Sequence, residues 1–516
     1  MFNSVSGRKI LLVFVFLFFV FTGIQFIPVA NAGLSHDPNL DWKTLTSKNF
    51  RLHYHNDGKQ LAEKALAIAE QTHAKFSPIF DWIPEEPTDI ILTDEIGLAN
   101  GYATPFPSNR SAIYLAPPDR LNSLEDYSDW LQTVITHEYV HILHLDKVSH
   151  GPKGLRSVFG RYGGLWFFTV FPNAFQPGWV IEGLSTYYET DKKRGVGRGQ
   201  SSYFDMIMRM EVDAGVKSVR HVNQPTVDWP AGTIRYLYGV NFFSFVKERK
   251  GEEKIQAMVA DMSANWFPFL VNTNMKNTFG TGTGGIWDEF TGYLNQKYQP
   301  QIDKIEKSGI REGQQLTRHG YSTGSSRVDD EGSLYYVKDD FRTHVALMVK
   351  RNGADKAKHL ADVNPGATFD LHDTAGIVVA QAEICRNARF YYDLYLVNPK
   401  SGSKDKITNC GRYHFGAWMP DGKNIIAARL EMGKSSLHKL NLKGEVLETI
   451  WQARSGEILS GLDVSPDGKN LVSSVWRPNA GWNIEEYNLS SGEWRQLTAT
   501  SAIEMQPQYS LDGKAI

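Results

Sequence analysis

TVITHEYVHILHLD, residues 133–146, carries two histidines four positions apart, His137 and His141, with Glu138 beside the first. Val134, Ile135, Val140, Ile142 and Leu143 surround them at a spacing that predicts a helix. Side chains four apart share a helical face, so both imidazoles can meet one divalent cation. Glu138 then lies where it can polarise a metal-bound water. Its neighbours Ile135, Tyr139 and Val140 are apolar. A carboxylate buried among them is costly unless a metal, a water or a cation stands nearby.

The third ligand must come from elsewhere. In the pattern HExxHxxGxxH it would be a third histidine, but here His144 occupies the glycine position and Lys147 the histidine position. Downstream, WVIEGLSTYYE (179–189) reads as an amphipathic helix with Glu182 before Gly183. It resembles the W-x-x-E-G-x-[AS] segment of gluzincin metallopeptidases related to aminopeptidase N. That resemblance implies zinc, one ion per chain, held by His137, His141 and Glu182, with a coordination position open to water. Glu182 lies 41 residues after His141, a longer gap than in aminopeptidase N. A further segment, YLYGVNFFSFVKERKGEEKI (236–255), resembles the Y-x-x-G helix of the same family. The resemblance gives Tyr236 the support of the tetrahedral intermediate, or Tyr238 if the register shifts.

Other polar residues near the motif carry alternatives. His144 reads as a packed or rim histidine, and Asp146 either as an acceptor for a ligand histidine or as a helix-end carboxylate. Thermolysin-like enzymes orient a ligand with an Asp four residues after the ligand Glu; Thr186 stands there, and Glu189 is a weak substitute. Enzymes of the aminopeptidase N type carry a GxMEN segment whose Glu holds the substrate's free amine, and none occurs between Gly33 and His137. Endopeptidase action is therefore expected over aminopeptidase action.

Upstream of the metal helix the pattern is β-α-β-β. FRLHYH (50–55), DIILTD (89–94) and SAIYLAP (111–117) predict strands, and residues 59–76 predict a helix. NRSAIYLAPP (109–118) is expected to be the edge strand facing substrate. From Tyr127 to about Lys297 the signals are mostly helical. Within them GGLWFFTVFPNAFQPGW (163–179) is read as core packing, with a cleft wall or a membrane contact as alternatives.

Beyond Gln314 short β-rich runs recur, each with a turn glycine: Gly332, Gly376, Gly422, Gly468 and Gly513, spaced 44, 46, 46 and 45 residues apart. A period of this length with strand–turn–strand cores predicts a β-propeller at four strands per blade. The Asp-Gly pairs suggest two-residue hairpins with positive φ at both positions. The SPDGK form resembles TolB-like propeller blades. The sequence given stops at Ile516, inside the fifth such hairpin. An incomplete propeller is expected, with further blades supplied by a longer chain or by another source.

Among 516 residues, 41% are hydrophobic and 22% charged, and the formal net charge is −2. No Lys/Arg-rich block argues for nucleic acid. Arg8 and Lys9 precede an apolar run, residues 10–30, that ends in Ala30-Asn31-Ala32. This predicts a signal peptide cleaved after Ala32 and export to the periplasm or the extracellular space. Membrane contact follows only if the segment stays uncleaved. Cys385 and Cys410, the only cysteines, read equally as one disulfide or as two buried thiols.

The expected architecture is a signal peptide (1–32), an α+β zincin-like metallopeptidase domain (33–313) and an all-β propeller (314–516). The expected function is hydrolysis of a peptide or protein substrate by zinc-bound water that Glu138 activates, with the propeller free to bind a protein partner. The alternative is a cell-envelope binding or assembly protein whose propeller is the working module and whose zinc domain is vestigial.

Overall fold

The computed structural model describes residues 39–516, apart from 57, 121–123, 125, 163–165, 225–227, 387 and 455. The expected signal peptide and its cleavage site lie outside these residues. Among the described residues, no helix is long and apolar enough to cross a membrane.

Alternating apolar positions make the first sheet. Strands β1 (Trp42–Thr46), β2 (Phe50–His55), β3 (Thr88–Thr93), β4 (Gly101–Thr104) and β5 (Arg110–Tyr114) stand in the order β1-β2-β3-β5-β4. Phe50, Leu52, Ile90, Leu92 and Ile113 are all but fully buried on it. β2, β3 and β5 are parallel, whereas β1 and β4 run antiparallel at the two edges. The edge strand beside the cleft is therefore β4. The expected edge at residues 109–118 is corrected: β5 is an inner strand, bonded on both sides. Helix α1 (Lys59–Phe80) joins β2 to β3 and buries Ala62, Ala65, Ala69, Phe76 and Phe80 along one face.

Helix α2 (Trp130–Asp146) is capped by the Asp129 side chain, which accepts from the Gln132 amide at 3.4 Å. It is buried on nearly every side, which accounts for its almost continuous apolar sequence. Helices α3 (His150–Phe159), α4 (Gly178–Glu189), α5 (Ser202–Asp213), α6 (Ile234–Lys250), α7 (Glu253–Ser263), α8 (Val271–Phe279) and α9 (Thr283–Ser308) follow. The expected domain boundary at 314 falls in the non-helical stretch between α9 and the first propeller strand.

The C-terminal part is a propeller of four four-stranded blades. They are β6–β9, from Ser322 to Asp362; β10–β13, from Thr368 to Lys406; β14–β17, from Tyr413 to Gln452; and β18–β21, from Ile458 to Gln496. The first strands of successive blades, β6, β10, β14 and β18, lie side by side. The turn glycines sit between the first and second strands of their blades, or for Gly376 at the start of the second, but the expected two-residue hairpin is corrected. Met419 N bonds Asn424 O at 3.0 Å and Gly422 N bonds Met419 O at 3.0 Å, so residues 420–423 form a four-residue loop. Only the glycine takes positive φ, at 60° for Gly422, 71° for Gly468 and 68° for Gly513. The aspartate caps the loop: Asp421 Oδ1 accepts from the amides of Lys423 and Asn424 at 2.8 and 3.1 Å. The fifth turn repeats this bonding, with Ser510 N on Ala515 O at 2.8 Å. Cys385, at the end of β11 (Gly376–Cys385), and Cys410, just before β14 (Tyr413–Trp418), form a disulfide.

Both parts share one apolar core. Leu430, Ile458, Trp476 and Trp482 of the propeller pack into the cluster built on α1, α2 and the first sheet. Trp476 stacks on Tyr127 with ring centroids 5.1 Å apart and donates to the Tyr127 carbonyl at 3.3 Å. Polar contacts grip two loops. In residues 94–97, Asp94 pairs with Arg412, Glu95 with Arg389 at 2.5 Å, and Gly97 N bonds Phe390 O at 2.7 Å. In the second loop Asp119 holds His414 Nδ1 at 2.5 Å, and the Arg120 guanidinium lies 4.5 Å from the Tyr392 ring centre.

Candidate metal centre

Helix α2 brings His137 and His141 to one face, and α4 crosses it to bring Glu182 opposite them. His137 Nε2 and His141 Nε2 are 3.1 Å apart, and Glu182 Oε2 stands 3.5 and 3.3 Å from them. Among the described residues this trio is the one His/Asp/Glu group whose ligand atoms converge, all within 4.8 Å of one another.

The far side of each imidazole is engaged. His137 Nδ1 lies 2.7 Å from Glu189 Oε2, and His141 Nδ1 lies 3.0 Å from Ser185 Oγ. A carboxylate can only accept, so His137 donates from Nδ1 to Glu189 and Nε2 faces His141 and Glu182. Glu189 is held in turn by Arg198, whose Nε and Nη2 donate to its two oxygens at 2.7 and 2.8 Å. Burial works against charge on Glu189, but Arg198 and His137 outweigh it and lower its pKa to about 2.

The same fields favour positive charge between His137 and Glu182. Burial opposes charge on His137, yet Glu182 and Glu189 raise its pKa to about 9. Glu182 is kept far below the usual carboxylate range by His141 and His137, against the cost of burial. A site that stabilises a cation on imidazole nitrogen, with carboxylate opposite, suits a divalent metal. Two imidazoles and one carboxylate are a zinc donor set.

Glu138 is buried beside His137, and burial, with Glu182 adding to it, raises its pKa despite His137 and His141. Gly101 of β4 lies directly against it: a Cβ there would come within 2.8 Å of Val134 and 2.9 Å of Glu138 Oε1. Tyr236, on α6, also lines the cleft. Its ring lies 6.2 Å from that of His137, and the Arg198 guanidinium covers it at 4.6 Å. Burial and Glu182 push its phenol pKa up. The Tyr238 phenol instead donates to Glu211 at 2.9 Å and accepts from the Lys217 amide, outside the cleft lining.

The cleft has a volume of about 740 Å³ and is bordered by Gly101–Ala103 on one side, Arg235 and Tyr236 on the other, and Tyr321 from the propeller approach. His144 does not reach it. Fully buried, it meets Gln176 at 2.6 Å, and burial pushes its pKa down to about 3. Asp146 is likewise excluded as a histidine acceptor. It lies in a basic cluster, 2.5 Å from Arg156 and 2.8 Å from Arg161.

Glu189, Ser185 and Arg198 are the site residues that sequence reasoning undervalued or missed. Glu189 stands seven positions after Glu182, two helical turns along the same face, and Ser185 three positions after it. That periodicity is the available signal. Nothing in the sequence marks Arg198, which arrives from a separate turn.

No family model matches the chain, and no curated protein does. Among solved structures the chain is similar to TolB from Acinetobacter baumannii, at 16% identity and a TM-score of 0.32, over 37% of this chain and 47% of that one. It is also similar to an oligogalacturonate lyase in complex with manganese, at 19% identity and a TM-score of 0.30, over 38% of this chain and 58% of that one. The chain thus covers less than two thirds of the length of either structure.

Proposed function

We propose that the chain is an exported zinc-dependent endopeptidase of the gluzincin type, with its propeller bordering the cleft. The observation that carries this reading is the convergence of His137 Nε2, His141 Nε2 and Glu182 Oε2 while Glu189 and Ser185 fix the far side of both rings. Outer partners of this kind orient metal-binding imidazoles. The mixed sheet with an antiparallel edge strand beside the metal helix agrees with a zincin-like domain. A zinc ion bound there would supply Lewis acidity to a water and to a substrate carbonyl.

The remaining chemistry falls to the chain's own groups. Glu138, beside His137, takes a proton from the attacking water and passes it to the leaving amine nitrogen. The Tyr236 phenol stays protonated and donates to the developing oxyanion. β4 offers an unpaired edge to an extended peptide, and Gly101 lets that peptide approach Glu138. Export rests on the basic, apolar and A-x-A pattern of residues 8–32. The Cys385–Cys410 bridge agrees with an oxidising compartment.

The test is a Glu138→Gln variant assayed for bound zinc and for peptide hydrolysis. Zinc retained with turnover reduced at least ~100-fold is expected. Full activity in the variant would sink the mechanism. A parent chain that binds zinc but cleaves no peptide would favour the envelope-binding reading.

A further inference from the structure

One face of the catalytic part displays aromatic side chains to solvent instead of burying them. The expected core packing of segment 163–179 is corrected for its described residues, 166–179, which divide between core and surface. Val170 and Phe171 are buried, whereas Trp166 and Phe168 are exposed. Tyr162, just before it, is 69% exposed, and from the loop between α7 and α8 Phe267 and Phe269 are 70% and 69% exposed. Leaving that much aromatic carbon in water is unfavourable, which marks the face as an interaction surface.

The loops are knitted together. Phe168 lies 4.9 Å from Phe175 and 6.0 Å from Phe269, and Phe175 lies 5.8 Å from Phe269. Thr169 Oγ1 donates to the Trp266 carbonyl at 3.0 Å. The Trp266 ring seats on Gly151 of α3 so closely that a Cβ there would come within 2.3 Å of it. The exposed rings thus project from a built framework.

Charge identifies the partner. No Asp or Glu occurs in residues 147–181 or in residues 262–287, and Asp261, just outside, accepts from Asn274 Nδ2 and Asn277 Nδ2 at 2.9 Å each. Exposed Lys153 and Lys276 lie in the same segments. The carboxylate beneath, Asp146, is buried and neutralised by Arg156 and Arg161. Protein partners tolerate carboxylates at the rim, but anionic lipid headgroups repel them. Trp and Tyr, with apolar bodies and polar tips, are the residues that settle at a membrane–water boundary.

We propose that this aromatic face is a docking site for the surface of a bilayer containing anionic lipid. Attachment is interfacial, with Phe267 and Phe269 entering the acyl boundary and the lysines meeting phosphate. The face adjoins the cleft: beyond the end of β4, Phe106 packs on Tyr162 and Phe167 at 5.5 and 4.8 Å. A docked protein holds the edge strand close to the bilayer.

The test uses the chain from Gly33, which keeps every described residue and removes the apolar N-terminal run. Co-sedimentation is measured with phosphatidylglycerol vesicles and with phosphatidylcholine vesicles, for the parent and for a Phe267→Ser/Phe269→Ser double variant. The parent is expected to sediment preferentially with phosphatidylglycerol. The variant, with its melting temperature kept, is expected to partition at least about tenfold more weakly. A parent that stays in the supernatant overturns the proposal, as does a variant that binds as well as the parent. Sedimentation equilibrium covers the remaining occupant. A dimer lost in the variant, with no vesicle binding, assigns the face to a second copy of the chain and overturns the membrane.

Discussion

Gly183 and Gly239 meet backbone to backbone where α4 crosses α6: a Cβ on Gly183 would lie 2.3 Å from the Gly239 Cα, and one on Gly239 2.3 Å from the Trp179 carbonyl oxygen. The residue before Gly183 is Glu182, and Tyr236 lies three residues before Gly239. The crossing therefore sets the distance between them.

Alanine at either glycine is expected to destabilise the fold by about 1–3 kcal/mol or more, since backbone cannot yield as a side chain can. Helix propensity alone predicts the opposite, a gain of up to ~1 kcal/mol. Urea unfolding of Gly239→Ala decides the sign. Zinc affinity measured on the folded variant should fall as well, because Glu182 is displaced with its helix.

Glu189→Gln is expected to weaken zinc binding by roughly 10–100-fold, through loss of the acceptor that orients His137. It also leaves Arg198 buried beside a neutral partner, so the melting temperature should drop. Ser185→Ala removes the hydroxyl from His141 without stranding a charge. It should weaken zinc with little change in stability. Competition with a chromogenic chelator measures both affinities.

In the propeller, Asp463 accepts from the Tyr509 amide at 2.7 Å. Burial, with Asp370 adding to it, raises its pKa to about 6, although the Tyr509 amide and Arg327 oppose the rise. The folded state thus binds this proton more tightly than the unfolded state. Stability from this group is full below about pH 4 and is lost as pH rises through about 6, a swing of up to ~3 kcal/mol. Asp463→Asn keeps an acceptor for Tyr509 and removes the charge. It should be more stable than the parent at about pH 7.5, with the difference vanishing near about pH 4, as read by urea unfolding at both values.

The converging trio was legible because its spacing is local. His137 and His141 share a helical face by their separation alone, and the segment around Glu182 carries its own pattern. The repeat period of the turn glycines made the propeller legible in the same way. Strand β4 was not, since its four residues are all half-buried and show no alternation. Arg198 was not, because only tertiary folding brings it under Glu189. The aromatic stretch misled for another reason. Hydrophobicity alone does not distinguish a ring that fills a core from one that stands in solvent, and Phe171 and Phe168 differ only in which way the chain turns them.

The grip of Arg412 and Arg389 on residues 94–97 has a consequence for how such a protein can change over generations. Four residues beyond Gly97 begins the strand that borders the cleft. A substitution in the propeller can therefore shift that border without touching His137, His141 or Glu182. Halves taken from two different homologues should recombine poorly unless these arginines and carboxylates are exchanged together. The two parts are heritable as a pair, and selection acting at the cleft would be recorded in residues such as Arg389 and Arg412, which stand outside its lining.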